Sequence, residues 1–297
     1  MKIIPLAINK KNNGVLKGSS MALGFLDGLH IGHRELLQEV LSSKNPSVLT
    51  FSSGMKESLF CSGKELILTE EEKEEKLQSL GIEADYILAF DEKTKNSTKE
   101  EFLLFLSSLK PCLLVAGKDF TFGKDREGKA EDLLSLKKEG IEVRILPLLF
   151  QDDEKVSSTR IKEEIRKGNI PEANRLLGYP FFVDGLVLHG LENGRKIGFP
   201  TANIKIPDGK VKPSIGVYKT RTAVDGVLYP SMTSYSSHPT VEELKKPILE
   251  TNIIGYSKDL YGKKIRVEFL EYLGPIRKYG SLEELKDALS SFREKCR

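Results

Sequence analysis

Cysteine is scarce in this chain, with three residues, Cys61, Cys112 and Cys296, among 297. They are widely spaced and odd in number. They form neither a metal-binding spacing nor a disulfide framework, so a reducing compartment is expected. Long apolar runs are also missing. None approaches the ~18 residues of a membrane span. Residues 1–18 hold no apolar core followed by a small-residue cleavage site. A cytoplasmic chain with no membrane attachment is therefore expected. Charge of one sign is not in large excess: 46 basic residues face 43 acidic ones, a net +3. That balance is too weak to indicate a nucleic-acid partner, and no patch of interleaved aromatic and basic residues supports one. There is no internal repeat and no low-complexity segment. What is present is 39% apolar and 30% charged residues, over a length that suits two domains. Oligomeric state is not legible.

Strand candidates run through the first half at 3–8, 21–26, 48–51, 86–90, 112–116 and 143–149, mostly separated by helical stretches. Thr69 with Glu72 forms a capping box, and the acidic run 70–75 that follows reads as a solvated helix face. This alternation predicts an α/β domain with a parallel sheet, whose ligands bind at the carboxyl ends of the strands. A helix over 159–167 stops at Gly168; a second has Pro171 in its first turn and Gly178 past its end. Beyond Tyr179-Pro180 the pattern turns to strands, with Asp184-Gly185, Asp208-Gly209 and Asp225-Gly226 as turn signals. Residues 217–224 and 227–229 flank the last as a hairpin, and 264–273 is another strand. Ser281 and Glu284 cap a final helix with Leu282, Leu285, Leu289 and Phe292 as its apolar stripe. The expected division is residues 1–178 and 179–297. The second part is a small β-barrel closed by a C-terminal helix.

Two of the four histidines fall in Gly24-Phe25-Leu26-Asp27-Gly28-Leu29-His30-Ile31-Gly32-His33. The run joins a strand to a helix with Leu36, Leu37, Val40 and Leu41 on one side. A helix N-terminus offers free N–H groups and a positive dipole end, which suit phosphate. Gly32 lets a phosphate approach the backbone, and the imidazoles of His30 and His33 can donate to a reacting phosphoryl group. Gly117-Lys118-Asp119-Phe120-Thr121-Phe122-Gly123 follows another strand. It reads either as a loop pressed on a ligand or as a turn anchored in the core by its two phenylalanines. Ser157, Ser158, Thr159 and Arg160 open a helix, where their polar groups can cap it or bind phosphate.

A second set begins at His189. Gly190, Gly194 and Gly198 recur at four-residue spacing around Arg195 and Lys196 and lead into Phe199-Pro200-Thr201-Ala202-Asn203. A flap over phosphates and a glycine-rich hairpin both fit. Thr201 and Asn203, two apart on a strand, face one side, and their neutral oxygens suit Mg²⁺.

Taken in order, these segments resemble the bifunctional riboflavin kinase/FMN adenylyltransferase (FAD synthetase) family over nearly the whole chain. The His-x-Gly-His unit, the Gly-x-Asp-Phe-x-Phe-Gly loop and the Ser-Ser-Thr segment resemble its nucleotidyltransferase half, with a Rossmann-like fold. Gly-Phe-Pro-Thr-Ala-Asn, Leu249-Glu250-Thr251-Asn252 and Asp259-Leu260-Tyr261-Gly262-Lys263 resemble its kinase half. The resemblance implies ATP-dependent phosphorylation of riboflavin to FMN, then adenylyl transfer from ATP to FMN giving FAD and pyrophosphate. Mg²⁺ is implied as cofactor. His30, His33 and Glu250 are implied as catalytic, with Glu250 the base for the ribityl hydroxyl. The family's basic position after Ser-Ser-Thr falls on Arg160 or Lys162. Some positions depart from the family: Ser52-Ser53-Gly54-Met55 follows Thr50-Phe51, Leu26 replaces a phenylalanine, Ser234-Tyr235-Ser236-Ser237-His238 replaces an Asn-Ile-Gly-Thr-Arg pattern, and Ile254-Gly255 replaces Phe-Asp. The alternatives are a chain that keeps one activity and a flavin-binding protein without turnover.

Overall fold

The computed structural model describes residues 1–8, 10–52, 65–189, 198–236 and 247–296. The chain divides into two units, Met1–Ser158 and Thr159–Arg297.

The first unit is built on six parallel strands in the order β1-β4-β3-β2-β5-β8. These are β1 (Lys2–Leu6), β2 (Ser20–Leu23), β3 (Pro46–Phe51), β4 (Ala84–Leu88), β5 (Leu113–Gly117) and β8 (Glu142–Leu146). The central strands read as continuous apolar runs because helices cover both faces. Met21, Leu23, Leu49, Tyr86 and Leu114 lie in the core with Phe102, Phe105 and Leu106. β2 is where the strand order reverses: β3 and β4 follow on one side, β5 and β8 on the other. In open parallel sheets that reversal leaves a crevice at the carboxyl ends, here beyond Leu23 and Gly117.

Local chemistry sets the boundaries. The strand expected to reach residue 26 stops at Leu23, because Leu26 takes a left-handed conformation (φ 53°) and buries its side chain. Helix α1 (Ile31–Leu41) buries Leu36, Leu37 and Val40. α2 (Glu70–Ser79) begins with the expected capping box, Thr69 N donating to Glu72 at 2.8 Å and Glu72 N to Thr69 Oγ1 at 3.2 Å. Of the acidic run, Glu72 alone is buried, through that box. α3 (Glu92–Asn96) and α4 (Lys99–Ser108) follow, then a 3₁₀ segment, Ala130–Glu139. Between them β6 (Thr121–Phe122) pairs with β7 (Gly128–Lys129); after β8, β9 (Phe150–Gln151) pairs with β10 (Glu154–Lys155).

The second unit starts with α5 (Ser158–Lys167, whose first residue closes the first unit) and α6 (Ile170–Leu177), which ends on a left-handed Gly178. Asn174 of α6 donates to the Phe269 carbonyl at 2.9 Å and accepts from Phe181 N at 2.7 Å. The barrel is antiparallel, in the order β11-β16-β13-β14-β15-β12. Its strands are β11 (Phe182–Leu186), β12 (Ala202–Ile204), β13 (Gly216–Val224), β14 (Val227–Ser236), β15 (Ile248–Ile253) and β16 (Lys264–Gly274). Leu188 N donates to the Asn203 carbonyl at 2.8 Å and joins the two edges. The interior is partly polar: Thr222, Ser231, Thr220, Thr233 and Thr251 form one buried run of hydroxyl hydrogen bonds.

Two expectations give way here. Asp184-Gly185 is not a turn but lies inside β11, where Asp184 receives two 2.7 Å bonds from Arg266. A Cβ at Gly185 would stand 3.1 Å from Ile204, so this glycine serves close approach. In the C-terminal helix, α7 (Leu282–Cys296), Leu289, Phe292 and Cys296 pack on Phe199, Val217 and Met232. Leu282 stays 65% exposed, because only the later turns of the helix meet the barrel.

Candidate active sites

The first site lies at the carboxyl end of β2. Leu26, Gly28 and Leu29 all have positive φ, which folds residues 26–29 into a tight turn. Gly28 is required there: its φ is 81°, and a Cβ would stand 2.7 Å from Ile67. Asp27 is buried and accepts from Ile67 N at 2.9 Å, while its carbonyl accepts from Ser158 Oγ at 2.9 Å. The turn thus brings the Asp-Gly pair and the Ser157-Ser158 segment together.

His30 caps α1, with Nδ1 accepting from His33 N at 3.4 Å. That bond assigns the remaining proton to Nε2. The two imidazoles stack with centroids 3.6 Å apart. Burial lowers the pKa of His30 to about 4, with Asp119 raising it and Lys155 lowering it further. Burial, then the neighbouring His30, pushes His33 well below its ordinary value. His33 Nδ1 is buried with no partner among the described residues. At neutral pH both rings are uncharged and offer N–H donors to an incoming anion.

Lys155 was not singled out from the sequence. It stands beside Asp119 in an ion pair whose charges both act on His30. The only signal for it was a cation directly before the Val156-Ser157-Ser158 run. Gly117 ends β5, and Phe120 N donates back to its carbonyl at 2.9 Å. Phe122 is 5% exposed, in the core, its ring 4.8 Å from that of Phe102, and Phe120 packs beside it. Gly128 makes room for the Phe122 ring, which a Cβ would approach to 2.5 Å. The core-anchored turn therefore describes this loop's phenylalanines. Gly123 has φ 73°; Gly24, Phe25 and Gly32 are half-buried around the turn. Thr159 is exposed, and Arg160 pairs with Glu172 within the second unit at 2.9 Å. Ser52, at one departure from the family, accepts from Phe90 N through Oγ at 3.2 Å and ties the end of β3 to the segment after β4.

The second site lies on the barrel. Asn203 stands opposite Glu250, and Glu250 opposite Ser234, so the three share one face. Glu250 is half-buried; Asn203 is 8% exposed, its Oδ1 buried without a partner among the described residues. Pro200 and Thr201 lead directly into β12, and Gly198 has φ 84°. Gly190, Gly194, Arg195 and Lys196 lie outside the described residues, as does 237–246. His189 stacks on Tyr261, with ring centroids 3.8 Å apart. Ile254, at another departure, packs with the cluster under α7. Among the described residues no group of three or more His, Cys, Asp or Glu could hold a metal. The orphaned Asn203 oxygen and the nearby Thr201 hydroxyl are hard, neutral donors, which fit Mg²⁺ sharing its shell with phosphates and water.

Residues 12–160 match the FAD synthetase family, and residues 177–297 match the riboflavin kinase family. A bifunctional riboflavin kinase/FMN adenylyltransferase from Listeria monocytogenes is 32% identical over 89% of this chain and 87% of its own length. The chain belongs to the bifunctional riboflavin kinase/FMN adenylyltransferase family. It carries both of the family's enzymatic domains, and its Rossmann-like sheet and six-stranded barrel are the folds expected of them. The Escherichia coli relative of the same description is 32% identical over 96% of this chain and 94% of its own. A crystal structure described as a macrolide-efflux protein from Streptococcus pneumoniae superposes with TM-score 0.87 at 33% identity, covering 100% of this chain and 99% of that one. Among the described residues no helix is long and apolar enough to cross a membrane.

Proposed function

We propose that the chain converts riboflavin to FMN on the barrel and FMN to FAD at the carboxyl end of β2. In the adenylyltransferase half, the FMN phosphate attacks the α-phosphorus of ATP and pyrophosphate leaves. No protein nucleophile is needed; alignment and charge stabilisation are. The N-terminus of α1 and neutral His30 and His33 donate hydrogen bonds to the phosphoryl oxygens. Gly24, Phe25, Asp27, Gly28 and Gly32 shape the turn that admits the nucleotide. Lys155 and Ser158 reach the same region. The observation that carries this reading is the stacked, uncharged His30–His33 pair at a helix N-terminus.

In the kinase half, Glu250 accepts the proton of the ribityl hydroxyl as that oxygen attacks the γ-phosphorus of ATP, giving FMN and ADP. Thr201 and Asn203 hold Mg²⁺, which when bound neutralises phosphate charge. Arg195 and Lys196 serve the phosphates. Catalytic fragments are proposed for 1–178 and 179–297. Widely spaced cysteines favour the cytoplasm. The test is a time course with riboflavin, ATP and Mg²⁺ that resolves FMN from FAD.

A further inference from the structure

Asn252 lies on β15 two residues beyond Glu250 and reaches the chain just before Thr201. Asn203 is opposite Glu250 and Ala202 opposite Thr251. Continued by one residue, the register sets Thr201 against Asn252. Side chains two apart on a strand share a face, so Asn252 lies on the face of β15 that carries Glu250, with Asn203 opposite Glu250. Asn252 is 3% exposed. Its Nδ2 donates to the Pro200 carbonyl at 2.7 Å. A carbonyl can only accept, so this bond fixes which end of the carboxamide faces Pro200. Oδ1 is turned elsewhere, buried and without a partner among the described residues. Asn203 Oδ1 is in the same condition. Two orphaned carboxamide oxygens in adjacent registers are costly unless a ligand supplies their partners.

The turn before β12 is held from two sides. Phe199 is 8% exposed and packs with Met232, Leu289, Phe292 and Cys296. Met232 lies opposite Asn252. The next carbonyl, that of Pro200, is the one that Asn252 holds. Without that bond nothing polar among the described residues fixes the backbone just before Thr201.

We propose that Asn252 is a positioning residue of the kinase site. It fixes the Pro200–Thr201 backbone so that the Thr201 hydroxyl stays beside Asn203, and its Oδ1 accepts from a water of the cation that arrives with the nucleotide. This rests on the reading of Thr201 and Asn203 as cation ligands.

The test uses full-length Asn252→Leu with Asn203→Ala alongside. In Asn252→Leu, amides of 198–203 should exchange about tenfold faster without ligand, while β13 and β14 keep their protection. The KM for Mg-ATP and the Mg²⁺ half-saturation in riboflavin phosphorylation should rise about tenfold, with kcat changed less than about threefold. Unchanged exchange and unchanged KM in the folded variant would overturn the proposal. So would protection lost evenly over the barrel, since that is a packing role. If Asn203→Ala leaves the Mg²⁺ dependence unchanged, the cation reading fails instead, and the exchange result still decides whether Asn252 fixes the turn.

Discussion

His30 should make the first unit sensitive to mild acid. In an unfolded chain an imidazole titrates near 6.5, whereas burial lowers folded His30 to about 4. Above pH 6.5 both states are neutral and the residue adds no pH dependence. As pH falls below 6.5 the unfolded chain takes up a proton that the folded chain refuses, so stability falls. The loss stops growing below about 4. At about 1.4 kcal/mol per pH unit between the two values, the full loss is about 3 kcal/mol. His33, lowered in the same direction, adds to it. The perturbation is His30→Gln, which removes the titration. The assay is urea unfolding from pH 7.5 to 4, followed by far-UV circular dichroism because the chain has no tryptophan. Carboxylates common to both proteins cancel in the difference. The parent should lose stability relative to the variant progressively between pH 6.5 and 4. A difference that stays flat across that range would refute a buried, neutral His30.

Gly28→Ala places a Cβ at φ 81° and 2.7 Å from the buried Ile67; FAD formation should fall at least about tenfold and stability by about 1–3 kcal/mol, with FMN formation retained. Asp85 is buried, receives a 2.7 Å bond from Thr50, and has its pKa raised chiefly by burial. A raised carboxyl pKa costs stability as pH rises above the unfolded value of about 3.9, so Asp85→Asn should stabilise at pH 7 and lose that advantage below about pH 3.5 in the same unfolding assay extended to about pH 3. A fragment beginning at Thr159 should melt at a higher temperature than one beginning at Tyr179. The shorter fragment lacks Asn174 and its bonds to Phe269 and Phe181; equal melting temperatures would count against that anchor.

Much of this was legible because single residues dictate local geometry. Thr69 with Glu72, Pro171 with Gly178, and Asp225-Gly226 each mark a boundary that the backbone respects. The alternation of apolar runs and helices was enough for the parallel sheet, and the Asn203–Glu250 pairing joined two motifs found 47 positions apart. What escaped depends on through-space contact. Gly185 looks like a turn residue until Ile204 is seen against it. Leu282 fits a helical stripe, but the barrel does not extend to it. Lys155 has no motif and gains meaning from Asp119 and His30. Asn252 reads as a plain strand residue until its bond to Pro200 is found.

The central claim is that one chain holds two separate reacting centres. The direct measurement is a time course of FMN and FAD from riboflavin, ATP and Mg²⁺ for the parent, His33→Ala and Glu250→Gln. The parent should make FMN first and FAD from it. His33→Ala should accumulate FMN without FAD. Glu250→Gln should form FMN about 10²–10⁴-fold more slowly, the usual worth of a general base, yet convert supplied FMN to FAD at the parent rate. Loss of FMN formation along with FAD in folded His33→Ala, slowed conversion of supplied FMN by folded Glu250→Gln, or parent-rate phosphorylation of riboflavin by Glu250→Gln would contradict the account.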